Sequence, residues 1–208
     1  FRRYVAERRR QPREDLVSVL VQGRIDGEPL ADFDILSYCF LLAVAGNETT
    51  RNATSGGLLA LVENPREQDR LRADPGLQPS AVEEVLRWTS PVIHFCRTAA
   101  ADTEVGGQTI RKGDLLVLFY PSANRDEAVF PEPFRFDVGR SPNEHLAFGI
   151  GEHFCLGANL ARIELTAIFA EVMRRMEGIE LAGPVERVRS AFVGGIKRMP
   201  IRFRCRAV

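Results

Sequence analysis

Phe148-Gly149-Ile150-Gly151-Glu152-His153-Phe154-Cys155-Leu156-Gly157-Ala158-Asn159-Leu160-Ala161-Arg162-Ile163-Glu164 reads as a glycine-rich loop, one cysteine, then a helix. Gly149 and Gly151 let the backbone take positive φ and approach a neighbouring group closely. Leu156, Leu160, Ile163, Ala167 and Ala170 recur at steps of four and three, the spacing of one helical face. That pattern puts Cys155 at a helix N-terminus, where unpaired N–H groups and the positive dipole end favour an anion. Such surroundings lower a thiol pKa and hold a thiolate. A thiolate presented from a glycine loop is a good metal ligand, whereas an ordinary lone cysteine is a small buried hydrophobe.

The pattern F-G-x-G-x-H-x-C-x-G-x-x-L-A-R resembles the heme-binding loop of the cytochrome P450 family. The resemblance implies that Cys155 is the axial iron ligand and that His153 donates to a heme propionate. It also places Phe148 beside the sulfur, with Gly149 and Gly157 giving the loop its room.

Working outward, a long helical segment starts at Asp32, which can cap it, and runs to Glu63, where Asn64-Pro65 ends it. Phe33, Leu36, Phe40, Leu41 and Val44 supply its apolar face. In its middle lies Ala45-Gly46-Asn47-Glu48-Thr49-Thr50, a small-residue notch followed by an acid and two hydroxyls. A threonine here can bond back to a carbonyl one turn earlier and open the helix ladder. A-G-x-E-T-T resembles the oxygen-activating notch of the same family. By that resemblance Ala45 and Gly46 let the cofactor come close, Thr49 hydrogen-bonds the oxygen being activated, and Glu48 relays protons.

Ser80-Ala81-Val82-Glu83 reads as a capping box opening a further helix. In that helix Glu84 and Arg87 share a face at i, i+3. They resemble the family's E-x-x-R motif, with Arg140 as the later partner of a buried structural ion pair. Pro91 ends the helix, and a strand follows. The resemblance makes Arg97 a second propionate ligand and Val92 to Phe95 part of the substrate pocket. Glu104 to Ile110 carries a hairpin signal with Gly106-Gly107 as its turn, Lys112-Gly113-Asp114 is a second turn, and Leu115 to Phe119 is a strand. Ser122 to Asp126 reads as a short helix, and Phe130 to Pro142 as an irregular packed loop. The cysteine helix is expected to end near Gly178. The apolar turn Phe192-Val193-Gly194-Gly195-Ile196 matches the family turn that enters the substrate cavity, so Phe192, Val193 and Ile196 join the pocket.

Near the start, Arg2, Arg3, Arg8, Arg9 and Arg10 read as a solvated helix end. Asp15 to Gln22 is a short amphipathic helix closed by Gly23, and Asp26-Gly27 is a turn. Pro65 to Ala73 is a short polar helix, followed by the turn Asp74-Pro75-Gly76.

The chain has 208 residues, with 28 basic and 28 acidic side chains, a balance that argues against a nucleic-acid coat. Four cysteines without a C-x-x-C pair speak against a zinc cluster, and reduced, cytoplasmic thiols are the default. The longest apolar run, Phe40 to Gly46, is shorter than the roughly 20 residues a bilayer requires. The chain starts at Phe1, which suggests a piece of something longer.

The expected fold class is mainly α with small β-sheets. Residues 1–208 would form the C-terminal half of a single cytochrome P450 domain, with the long helix and the cysteine-loop helix sandwiching heme b. The implied activity is insertion of one oxygen atom of O2 into a C–H bond of a hydrophobic small molecule, a steroid side chain or branched lipid. Electrons would come from a ferredoxin-type partner. A heme-binding or sensing module without turnover is the alternative, and the segment alone is expected to be inactive.

Overall fold

Asp15 sets the geometry of the first helices in the computed structural model, which describes residues 1–206. One oxygen accepts the Ser18 N–H at 2.8 Å, capping α2 (Leu16–Gln22), and the other accepts from Arg8 of α1 (Arg2–Arg10). Arg8 is therefore only 3 % exposed, and Glu7 also accepts from it at 2.8 Å. The arginine run is thus not a plain solvated end: Arg8 is a buried ion-pair residue. A two-stranded hairpin follows, β1 (Arg24–Ile25) and β2 (Glu28–Pro29). Asp26 and Gly27 turn it with φ of 52° and 85°, the type I′ geometry that matches strand twist.

α3 spans Asp32–Glu63. Its first hydrogen bond runs from Ile35 N to the Ala31 carbonyl at 3.1 Å. Asp32 accordingly lies inside the helix and accepts from Arg9 at 2.9 and 2.7 Å, which corrects its expected role as the cap. The chain divides into two compact units within α3, one over Phe1–Glu48 and one from Thr49 onward. In the first, Val5, Ile35 and Cys39 form the core with Val17, Leu20 and Leu30 against them. The expected apolar face holds at Leu36, which packs against this core, and is corrected elsewhere. Phe33, Phe40, Leu41 and Val44 are 78, 65, 58 and 52 % exposed, while Ile35 and Cys39 are buried. This stretch is apolar around most of its circumference, so periodicity alone did not select the side on which α1 and α2 pack.

The second unit is built around α3, α4 (Pro65–Ala73), α5 (Gln78–Thr89) and α7 (Ala158–Arg175). Ala53, Ala60, Leu61, Leu71, Val82, Val85, Leu165 and Phe169 share one core with Phe136 and Val138 of the irregular loop. Helix backbones approach closely at Gly56-Gly57. A Cβ on Gly57 would lie 2.6 Å from a Val85 methyl and 2.7 Å from Phe169. On Gly56 it would lie 2.7 Å from a Thr89 methyl. At Gly46, by contrast, a Cβ meets nothing within 4 Å. The small-residue notch that packs helices is therefore Gly56-Gly57.

Strands are short and all antiparallel. β3 (His94–Thr98) pairs with β6 (Leu115–Phe119), and β4 (Thr103–Val105) pairs with β5 (Gln108–Ile110) through the Gly106-Gly107 turn. The short helix α6 covers Tyr120–Ala123, two residues ahead of its expected start. β7 (Met176–Leu181) pairs with β10 (Ile201–Cys205), and β8 (Glu186–Arg187) with β9 (Ile196–Arg198). α7 ends at Arg175, before the expected Gly178. Gly178, at φ 58°, instead sits where the β7–β10 register shifts, a bulge that needs left-handed backbone.

Candidate functional site

The sulfur-bearing loop is held by its own backbone. Gly149 N–H donates to the Leu146 carbonyl at 2.9 Å, Cys155 N–H to the Phe148 carbonyl at 2.9 Å, and Ala158 N–H to the Cys155 carbonyl at 3.2 Å. Gly149 and Gly151 take φ of 71° and 75°, as the loop reading requires. Gly157 caps α7, so Cys155 stands two residues ahead of the cap. The Cys155 thiol is unpaired and exposed, and a Cβ on Gly157 would lie 4.0 Å from its sulfur.

The apolar stripe read from the sequence lies on one face of α7, and that face points outward. Leu156, Leu160 and Ile163 are 76, 60 and 66 % exposed, and the core is made by Leu165, Phe169 and Met173 at steps of four. Two apolar faces compete on this helix, and both satisfy helical spacing. The outward one adjoins Cys155. Ile150 and Phe154, 76 and 52 % exposed, extend it onto the loop.

Behind the loop lies a polar cluster. Arg162 donates to both Glu83 oxygens, at 2.7 and 2.9 Å, and its guanidinium carbon lies 4.7 Å over the Phe148 ring. His145 Nε2 lies 3.1 Å from Glu83 and its Nδ1 accepts the Ala147 N–H at 3.2 Å. Burial alone would push the Glu83 carboxyl up; the hydrogen bonds from His145 and Arg162 outweigh it and hold the group at about 2. The capping-box reading of Ser80 and Glu83 is therefore overturned. α5 starts at Gln78, directly after a 3-10 turn at Pro75–Leu77, and the Ser80 hydroxyl donates to the Leu77 and Val138 carbonyls.

Glu84, Arg87 and Arg140 come together in the core. Arg87 and Glu84 are fully buried and joined at 2.7 and 2.8 Å, and Arg140 reaches Glu84 at 3.1 Å. Arg87 also donates to the carbonyls of Asn124, Pro133 and Arg135. The buried Asn124 side chain accepts the Leu146 N–H at 2.7 Å and donates to Ser90 at 2.8 Å. The ion pair thus anchors the turn that leads into the cysteine loop. Asn124 and His145 carried no sequence signal of these contacts, and Arg162, the last fixed position of the cysteine-loop pattern, gave no sign that Glu83 is its partner.

The terminal turn lies against the segment after Pro91. Val193 bridges Val92, Ile93 N–H donates to the Phe192 carbonyl at 2.8 Å, and Gly194 N–H to the Pro91 carbonyl at 2.8 Å. The Phe192 ring lies 5.5 Å from Phe95 and 6.0 Å from His94. Val92, Ile93, Phe192 and Val193 therefore cluster, while Ile196 pairs with Arg187 in the β8–β9 ladder. Arg97, on β3, is exposed and donates to the Cys96 carbonyl at 2.9 Å. His153 is exposed in the 3-10 turn Gly151–His153. Ala45, Gly46, Glu48 and Thr49 lie within α3, whose back-bonding hydroxyls are seen at Thr54 and Ser55.

Among the described residues no helix is long and apolar enough to cross a membrane, and no three His, Cys, Asp or Glu side chains gather as a metal cage. The chain is 48 % identical to a steroid C26-monooxygenase of Mycobacterium tuberculosis, over 96 % of this chain and 54 % of that protein. It is also 48 % identical to a methyl-branched lipid omega-hydroxylase of Mycobacterium bovis, over 94 % of this chain and 46 % of that one. The crystal structure of CYP108D1 from Novosphingobium aromaticivorans superimposes with a TM-score of 0.91 at 47 % identity, over 98 % of this chain and 51 % of that chain. The chain thus spans about half the length of the relatives it matches. The cytochrome P450 family model matches residues 77–183, from the 3-10 turn before α5 to the end of β7, and the chain belongs to that family.

Proposed function

We propose that the chain is the cysteine-bearing portion of a heme-thiolate monooxygenase acting on an apolar small molecule. The observation that carries this reading is the exposed, unpaired Cys155 thiol on a two-glycine loop, with Gly157 leaving space beside the sulfur. The donor set fits heme b: one soft sulfur ligand, with no cage of harder ligands among the described residues. The surroundings fit it too, since Ile150, Phe154, Leu156 and Leu160 offer exposed apolar surface next to that sulfur.

In this reading Cys155 binds the iron, His153 and Arg97 hold the propionates, and Phe148 covers the sulfur. Gly149, Gly157, Ala45 and Gly46 give the macrocycle close approach. The heme, when bound, supplies oxygen activation, with the thiolate pushing electron density through the iron. Thr49 positions a proton near the reacting oxygen and Glu48 replenishes it. Glu84, Arg87 and Arg140 keep the loop in place. Val92, Ile93, Phe192 and Val193 form an apolar wall that orients substrate and excludes water. The names of the two mycobacterial relatives support a steroid side chain or branched lipid as the substrate class. A ferredoxin-type protein supplies electrons. The isolated segment is expected not to turn over, because large apolar side chains beside the site stand in solvent.

The test is the reduced carbon monoxide spectrum of the full-length protein. Wild type gives the thiolate-type Soret band, and Cys155→Ser loses it. A Cys155→Ser spectrum identical to wild type rules out this assignment of the ligand.

A further inference from the structure

Arg162 ties three elements to the sulfur-bearing loop. It rises from the second turn of α7 and binds Glu83 of α5 in a two-pronged contact at 2.7 and 2.9 Å. Its guanidinium stacks 4.7 Å over Phe148, whose carbonyl holds the Cys155 N–H at 2.9 Å. His145, with a side chain 3 % exposed, closes the other side of Glu83. Its Nδ1 accepts the Ala147 N–H at 3.2 Å, and its Nε2 lies 3.1 Å from the carboxylate. The pair is two-thirds or more buried, with side-chain exposures of 34 and 28 %. The fork geometry fixes the cation in place instead of letting it swing in solvent. The Glu83 hydrogen bonds push the Arg162 guanidinium up despite burial.

We propose that Arg162 is a positioning residue for the Cys155 sulfur, and that the Glu83–Arg162 pair sets the positive charge felt by the centre which that sulfur holds. The proposal rests on Cys155 being the axial ligand. A cation close to a thiolate-ligated iron favours the reduced, more negative state and raises its potential. Glu83 offsets that cation.

The experiment is spectroelectrochemistry of the full-length, heme-loaded protein, with heme retention followed in parallel. Glu83→Gln leaves Arg162 uncompensated and shifts the reduction potential upward. Arg162→Gln leaves Glu83 uncompensated and shifts it downward. The double variant returns toward wild type, and Arg162→Lys, which keeps the charge, shifts less than Arg162→Gln. Loss of structure alone does not give opposite signs with restoration in the double variant. If Arg162→Gln sheds its heme, Glu83→Gln against Arg162→Lys decides: an upward shift in the first alone supports the proposal. Single variants that all move the same way, or retain heme with no shift, overturn it. Cys155→Ser keeping the thiolate band overturns the ligand assignment beneath it, a result distinct from those potentials.

Discussion

Gly57 on α3 stands so close to Phe169 on α7 that an added Cβ would lie 2.7 Å from the ring, and 2.6 Å from Val85 on the far side. Alanine favours a helix over glycine by about 1 kcal/mol. Overpacking a close core costs about 1–3 kcal/mol, and here both neighbours are themselves in the core. The second effect wins, so Gly57→Ala lowers stability by up to roughly 2 kcal/mol. Gly46→Ala meets no neighbour within 4 Å and raises it by about 0.5–1 kcal/mol. Urea midpoints of the chain check both. Equal shifts for the two variants would contradict the packing argument.

Arg87 does more than neutralise Glu84. Its five N–H groups serve Glu84, Asn124, Pro133 and Arg135. Lysine has neither the planar fork nor enough donors. Arg87→Lys is therefore expected to cost about as much as removing one partner of a buried pair, about 3–5 kcal/mol. Denaturant unfolding measures it; a loss below about 1 kcal/mol, the worth of a surface pair, would show that charge alone matters here.

Acid should release the Glu83 clamp. Its carboxyl sits at about 2 in the fold against an ordinary 4.5. Between those values the unfolded chain binds the proton first, so the stabilisation is complete above about 4.5 and drains away as pH falls toward 2. Asp137 is also lowered, with hydrogen bonds from Gly139 and Arg70 outweighing the effect of burial. Glu83→Gln therefore reduces the acid sensitivity without abolishing it. Unfolding free energies at pH 5 and pH 3 test this: the difference must be smaller in Glu83→Gln than in wild type.

What the sequence disclosed followed from chemistry that is local. The turns at Asp26-Gly27, Gly106-Gly107 and Gly149 need left-handed backbone, and glycine announces it. α2 carries its own stop signal at Gly23, and α3 its own end at Asn64-Pro65. Burial was another matter. Leu156, Leu160 and Ile163 have a helical period as good as that of Leu165, Phe169 and Met173, and the positions of α3 and α5 select the second set for the core. Arg8 lies in a run of charges and Arg162 between apolar residues, and their partners Asp15 and Glu83 come from other elements. No spacing rule within one helix reports such a contact.

The two glycines flanking the sulfur should behave differently, because different things hold them. Gly149 has φ of 71°, and its Cβ position is 3.4 Å from the Tyr120 hydroxyl. Gly149→Ala combines left-handed strain of about 1–2 kcal/mol with a tight contact, so stability and heme retention fall together. Gly157 has an ordinary φ of −86°, and its Cβ position is 4.0 Å from the Cys155 sulfur, a normal contact distance. Gly157→Ala costs the fold only the difference between glycine and alanine at a helix N-cap, about 0.5–1 kcal/mol. If the sulfur carries the heme, the added methyl stands beside the ligand and speeds heme loss. Urea midpoints and transfer of heme to a scavenging apoprotein separate the two effects. A Gly157→Ala variant that loses heme no faster than wild type would place the macrocycle away from this side of Cys155.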